Sequence, residues 1–225
     1  MTNEIKCFYL RMHPLFTNVS EHKILEAVSV MKITRVYPGE VISYGEGELS
    51  KIYLLITGKI KLAELGNENE LIKDIITAPD IFGNLNMEGL SSDDEYAEVL
   101  SRNALICGFN ISDFKKLLFS IPMLAVSYAN MVIGKLGRLE HRHSDLVFCD
   151  TKTRLQHFIK NWARTDGNKI GDRVVLLNFL THSGIANVIS ASRQSVTILL
   201  NELREDGLLF YNRKQIELSN SVYWN

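Results

Sequence analysis

The segment SRQSVTILLNEL, residues 192–203, gathers side chains that can read the edges of base pairs. Arg193 carries a fork of donors suited to guanine O6 and N7, Gln194 offers a donor beside an acceptor as adenine requires, and Thr197 can meet a thymine methyl or a phosphate. Such chemistry needs a rigid mount. Val196, Leu199, Leu200 and Leu203 recur at i, i+3, i+4 and i+7, which predicts a helix with one face bound to a core. Ser192 is a good N-cap and Gly207 a good stop. An Arg and a Gln at a helix start are by themselves ordinary solvated residues, so their meaning depends on what surrounds them.

Upstream, SGIANVISA predicts a short helix, and downstream LLFYNRKQIELSN is two apolar runs around Asn212-Arg213-Lys214, a hairpin pattern. Two short helices joined by a tight turn and followed by a hairpin form a winged helix-turn-helix. In that frame the free amides near Thr181 and Ser183 suit a phosphate, Arg213 and Lys214 at the hairpin tip suit another, and Ser192 and Ser195 complete the expected contact set. Charge agrees in sign. Residues 151–225 hold ten Lys and Arg against six Asp and Glu, a net +4, whereas residues 1–150 hold 15 against 20, a net −5.

The rest of the chain must position this head. Residues 20–31 predict a capped helix; from 33 to 110, short apolar or alternating runs punctuated by Pro38-Gly39, Gly45-Glu46-Gly47, Thr57-Gly58 and Gly66-Asn67 predict an antiparallel roll. A helix over 111–119 follows. Pro122 then opens a long helix to about residue 147, in which Ala125, Ala129, Val132, Leu136, Leu139, His143 and Leu146 alternate by four and three. That seam predicts a partner helix, most simply in a parallel homodimer, although the same stripe could pack on its own roll. The expected fold class is α+β: an N-terminal antiparallel β-roll or jelly-roll over 1–120, a dimerisation helix and hinge over 121–149, and a winged helix-turn-helix over 150–225.

At 225 residues and 46% hydrophobic, the chain can bury one or two cores. It contains no apolar run of 18 residues and no signal-peptide pattern at its start, so a cytoplasmic protein with no membrane association is expected. Cys7, Cys107 and Cys149 are far apart and form no Cys-x-x-Cys, which predicts buried or incidental thiols. His141 and His143, at i and i+2 of a helix, point to different sides and make a poor metal pair.

At this point a family resemblance carries weight. LTHSGIANVISASRQSVTILLNELREDGLL resembles the DNA-binding segment of the cyclic AMP receptor protein and fumarate-nitrate reduction regulator (Crp/Fnr) family of transcription factors. YPGEVISYGEGELSKIYLLITGKIKL and DIFGN look like that family's cyclic-nucleotide-binding roll, and the likeness covers nearly the whole chain in the same order. It implies transcription regulation by a homodimer on near-palindromic double-stranded DNA, in contact with RNA polymerase. The resemblance also implies an effector pocket at Gly83, Asn84, Leu85, Asp94, Glu95, Leu139 and Glu140.

Several positions depart from the family pattern. Where cyclic-AMP-binding members have Glu after Phe-Gly and a downstream Arg-Ser pair, this chain has Asn84 and Asp94-Glu95, and no Arg lies between Asn84 and Ser101. Carboxylates facing a cyclic phosphate repel it. Leu139 and Glu140 replace the hydroxyls offered to adenine, and Cys7 cannot supply an iron-sulfur cluster alone. Cyclic AMP, an iron-sulfur cluster and haem are therefore not expected, and the cofactor stays unassigned. In the reading helix Arg193 matches the family, but Gln194 stands for a common Glu and Ile198 for an Arg, which predicts a different target. The expected strands carry no His and no nucleophile elbow is present, so no enzyme is expected. The competing expectation is a ligand-binding or protein-docking adaptor whose winged helix grips a protein.

Overall fold

Among the described residues of 31–110 lie eight strands: β1 Met31–Val36, β2 Val41–Ser43, β3 Lys51–Thr57, β4 Lys59–Leu65, β5 Glu70–Thr77, β6 Asp80–Gly83, β7 Glu95–Val99 and β8 Ala104–Asn110. The computed structural model describes residues 2–43, 50–66, 70–87 and 94–219; the expected turns at Gly45-Glu46-Gly47 and at Asn67 lie outside the described residues. The strands form two four-stranded antiparallel sheets, ordered β1-β8-β3-β6 and β2-β7-β4-β5, so the expected antiparallel roll is present. Between the sheets, Val36, Leu55, Ile60, Ile76, Phe82 and Ala97 make one core.

The first sheet is covered on its other face as well. Ile52, Leu54, Cys107 and Phe109 pack against helices α1 Asn3–Met12, α2 Glu21–Val30, α3 Ile111–Ser120 and the start of α4 Pro122–Phe148. This explains β8, whose residues 104–109 are all buried: a strand sandwiched on both faces reads as a continuous apolar run and does not alternate. Helix α1 is an addition to the expected elements. Only Leu10 of it is buried, while Ile5, Phe8 and Met12 stay exposed. Pro122 at the first position of α4 suits that site, because its missing N–H has no partner there in any case.

Two compact units make up the chain, 1–138 and 139–225, and the boundary falls inside α4. The second unit contains α5 Thr151–Asp166, β9 Asn168–Ile170, β10 Arg173–Leu177, α6 His182–Ile189, α7 Arg193–Glu205, β11 Leu209–Tyr211 and β12 Gln215–Ser219. Its sheet runs β11-β12-β10-β9. Leu155, Ile159, Leu176, Ile185, Val196 and Leu200 share its core. Asp150 caps α5 by accepting from Thr153 N–H at 2.7 Å, and that hydrogen bond holds its carboxyl below the ordinary range. Among the described residues no single helix is long and apolar enough to cross a membrane.

Candidate nucleic-acid interface

The backbone of the helix-turn-helix is fixed by hydroxyls. Thr181 caps α6 by accepting from Gly184 N–H at 3.0 Å, and Ser192 caps α7 by accepting from Ser195 N–H at 3.0 Å. Each such cap stabilises its helix by about 1 kcal/mol. Ser195 also shares a 2.8 Å hydrogen bond with the Ser192 hydroxyl. The turn between the helices passes through Ser190, whose φ of 53° is left-handed, a conformation in which the chain reverses tightly. Arg154 of α5 secures that turn by donating to Ile189 O at 3.0 Å and Ser190 O at 3.3 Å. Arg142 donates to Val188 O at 3.0 Å.

On α7 the apolar stripe behaves as its spacing predicts. Val196, Leu200 and Leu203 are buried and Leu199 packs beside them, while Arg193 and Gln194 are exposed at the first turn. Thr197 is placed differently from a free contact residue. Its hydroxyl donates to Arg193 O at 2.9 Å and lies 2.8 Å from His182 Nδ1, so it is engaged within the domain. The His182 ring in turn sits 5.6 Å from that of Tyr211, and the Tyr211 hydroxyl donates to Asn201 Oδ1 at 3.0 Å.

The hairpin is tied to the helices by Asn178, which donates from Nδ2 to Asn212 O at 3.0 Å and accepts from Leu180 N–H at 3.2 Å. Asn212 Oδ1 accepts from the amides of Lys214 and Gln215, closing the turn at the tip. Arg213 and Lys214 are exposed there. Between hairpin and helices opens a cleft of about 960 Å³, lined among others by Thr181, His182, Ser183, Arg193, Asn212 and Arg213. Two guanidiniums and the exposed start of α6 therefore line one concavity, a constellation complementary to a phosphate backbone. Four of the sequence-predicted residues, Thr181, Ser183, Arg193 and Arg213, meet in it; Gln194 lies on the adjoining exposed turn. Residues that sequence reasoning did not single out are Arg154, Asn178, His182 and Tyr211. Each has a partner 10 to 36 positions away along the chain, a separation no local pattern reports.

In the first unit, the residues expected at an effector pocket divide. Gly83 has φ +97°, and a Cβ there would stand 2.5 Å from Lys51 O, so the position needs glycine. Asn84 is buried: its N–H donates to Lys51 O at 2.9 Å and its Nδ2 to Ser50 Oγ at 2.8 Å, while Oδ1 has no partner among the described residues. Leu85 packs on the core, and its carbonyl accepts from Tyr128 Oη at 2.5 Å, linking this segment to α4. Burial pushes the Tyr128 hydroxyl up to about 12. Glu95 does not stand as a bare charge. Lys73 pairs with it and with Glu64 at 2.7 Å, and these carboxylates outweigh the effect of burial to raise the Lys73 ammonium above its ordinary range. Asp94 also has a partner. Leu139 and Glu140 are exposed on α4 in the second unit.

Helix α4 shows where the seven-residue seam meets solvent. Leu124 and Tyr128 are buried, and Val132 packs on the core of its own unit. Ala125 is half-buried; Ala129, Leu136, Leu139, His143 and Leu146 are exposed. Val126 and Ile133, outside the expected seam, are exposed at 53% and 63%. The open stripe thus runs Val126, Ala129, Ile133, Leu136, still spaced three and four, but turned by one residue at alternate positions because Val132 faces inward.

Comparison with known proteins bears on the same surface. Residues 153–221 match the Crp-like helix-turn-helix domain. The global nitrogen regulator of Synechococcus elongatus is 27% identical over 85% of this chain and 87% of its own length. A CooA variant from Carboxydothermus hydrogenoformans has a similar fold, with TM-score 0.75 at 20% identity over 93% of this chain and 92% of its own. A CRP/FNR-family transcriptional regulator of Thermus thermophilus has TM-score 0.71 at 19% identity over 86% of this chain and 99% of its own.

Proposed function

We propose that the chain, a transcription regulator of the Crp/Fnr type with a helix-turn-helix domain, works as a homodimer whose two α7 helices enter successive major grooves of a near-palindromic duplex. The observation that carries this reading is the cleft shared by Thr181, Ser183, Arg193 and Arg213, beside which Gln194 stays exposed. Arg193 and Gln194 read base edges. Arg213, Lys214 and the amides at Thr181 and Ser183 hold phosphates, and Ser192, Ser195 and Thr197 keep the first turn of α7 rigid so that its side chains keep their aim.

Dimerisation runs along α4 through Ala129, Leu136, Leu139, His143 and Leu146 of the expected seam, joined by Val126 and Ile133, with Ala125 and Val132 at its margin. Residues 1–120 form the sensor, 121–149 the dimer helix and hinge, and 150–225 the DNA-binding domain. The sensor takes an effector other than a cyclic nucleotide, or none. Neither Asn84 nor the Lys73-bound Glu95 supplies the cation that a cyclic phosphate needs. The role is regulatory and not catalytic, in the cytoplasm, with RNA polymerase as the further partner. Selection of duplexes from a random pool tests the reading: the wild-type chain enriches a two-fold symmetric site, and Arg193→Ala loses the preference at one base pair of each half-site. Failure to enrich any duplex at low salt overturns it.

A further inference from the structure

Asp145, Cys149 and His157 bring a carboxylate oxygen, a sulfur and an imidazole nitrogen within 4.8 Å of one another. Asp145 belongs to the last turn of α4, Cys149 follows the end of that helix, and His157 lies in the second turn of α5, so three donors of different kinds converge within one unit. His157 Nδ1 is 3.0 Å from Asp145 Oδ1, and Cys149 Sγ is 3.6 Å from the same oxygen. A tetrahedral ion bound at ~2.0–2.1 Å by N and O and at ~2.3 Å by S would space its ligands roughly 3.3–3.6 Å apart. The two distances from Asp145 Oδ1, 3.0 and 3.6 Å, bracket that spacing, and the third lies within 4.8 Å, so small side-chain rotations close the set.

Hydrogen bonding accounts well for Asp145 and His157, but it uses the Cys149 sulfur only as a weak donor to the same carboxylate oxygen. The Cys149 backbone is pinned from both sides, its N–H donating to Asp145 O at 3.0 Å and its carbonyl accepting from Arg154 Nη1 at 2.9 Å. Asp145 and His157 are 33% and 44% exposed, which leaves an approach from solvent and room for a water as fourth ligand.

We propose that Asp145, Cys149 and His157 form a binding site for a divalent transition-metal ion of the zinc class. A sulfur, nitrogen and oxygen set favours such ions over magnesium or calcium, which take oxygen alone. On binding, the Cys149 thiol releases its proton to solvent, and His157 gives up the Nδ1 proton it shares with Asp145 and carries one on Nε2 instead, so that a neutral imidazole ligates through Nδ1. Carboxylate and thiolate then cancel the double charge of the ion, so the Arg154 guanidinium beside it meets a neutral centre. The bound ion staples the end of the long helix to α5. Its effect on DNA binding rests on the reading above, whereas the site itself does not.

Titrating the full chain, stripped with a chelator, with Co²⁺ in the absence of DNA tests this directly. The expected result is one ion per chain, with tetrahedral bands in the visible and a thiolate-to-cobalt charge-transfer band, both erased one for one by Zn²⁺. Cys149→Ser removes the charge-transfer band, His157→Gln weakens binding roughly tenfold or more, and Cys7→Ser leaves the spectrum unchanged. The His157 side chain is exposed enough that its replacement keeps the fold, which circular dichroism verifies. Absence of a thiolate band, or a band that survives Cys149→Ser, overturns the proposal. Either result leaves the DNA reading standing, and loss of duplex binding leaves the spectrum untouched.

Discussion

The two units treat their polar side chains in opposite ways. In the second, hydroxyls and amides are spent on the backbone while Arg193, Gln194, Arg213 and Lys214 are left exposed. In the first, charges are spent on one another. Lys61, which is 9% exposed, holds Glu70 at 2.6 Å and Glu98 at 2.5 Å, Lys73 holds Glu64 and Glu95, and Asn84 donates to Ser50. The lesson is that a surface built to read a polyanion keeps its cations unspent, whereas a sheet that must stay shut neutralises them locally. Paired charges at the edge of a roll therefore report on architecture before they report on a ligand.

This contrast can be broken most forcefully from the second unit. Leu200→Ala empties a fully packed site under α7 and should cost about 2–5 kcal/mol, seen in a thermal melt as early loss of the C-terminal transition while that of the roll stays in place. If both transitions fell together, the two units would not be independent stores of stability. A smaller effect is expected from Arg193→Ala, which should lower discrimination at one base pair by roughly 1–3 kcal/mol in competition binding and leave the melt unchanged.

The first unit gives a pH test of comparable size. His13 is buried, with Nδ1 accepting from Leu15 N–H at 3.3 Å and Nε2 3.1 Å from Asp80 O, and burial lowers its pKa below the ordinary 6.5. The unfolded chain therefore takes up the proton first. The stability His13 contributes is whole above pH 6.5 and is lost as pH falls below that toward the lowered folded value. Chemical denaturation of the roll across this window should show the loss, and His13→Gln should flatten it; an unchanged slope would show that His13 is not the group responsible. The smallest effect belongs to the hairpin tip. Lys214→Ala should reduce the slope of log affinity against log salt by about 1, without changing which sequence is preferred.

The sequence made α7, its caps and the hairpin legible because all their determinants are local: a stripe at helical spacing, a Ser at one end, a Gly at the other. The roll was legible for a similar reason, since turn residues bracket its short runs. Helix α1 was not, because most of its apolar residues face solvent and its pattern never announces a core. Strand β9 escaped as well: its three residues are exposed and hold only the edge of β10. The Lys61 and Lys73 networks come from strands that meet through pairing register, and the Asp145, Cys149 and His157 cluster from two helices folded back at a two-residue break. The direction of Val132 depended on packing too, since the stripe on α4 fits a partner and its own core equally well until the roll is in place.

Of all these, the account depends most on two α7 helices meeting one duplex. Sedimentation of the chain with its selected duplex measures this directly. The account predicts two chains per duplex on a site whose half-sites are centred about one helical turn apart. A single chain per duplex, on a site without two-fold symmetry, would contradict it.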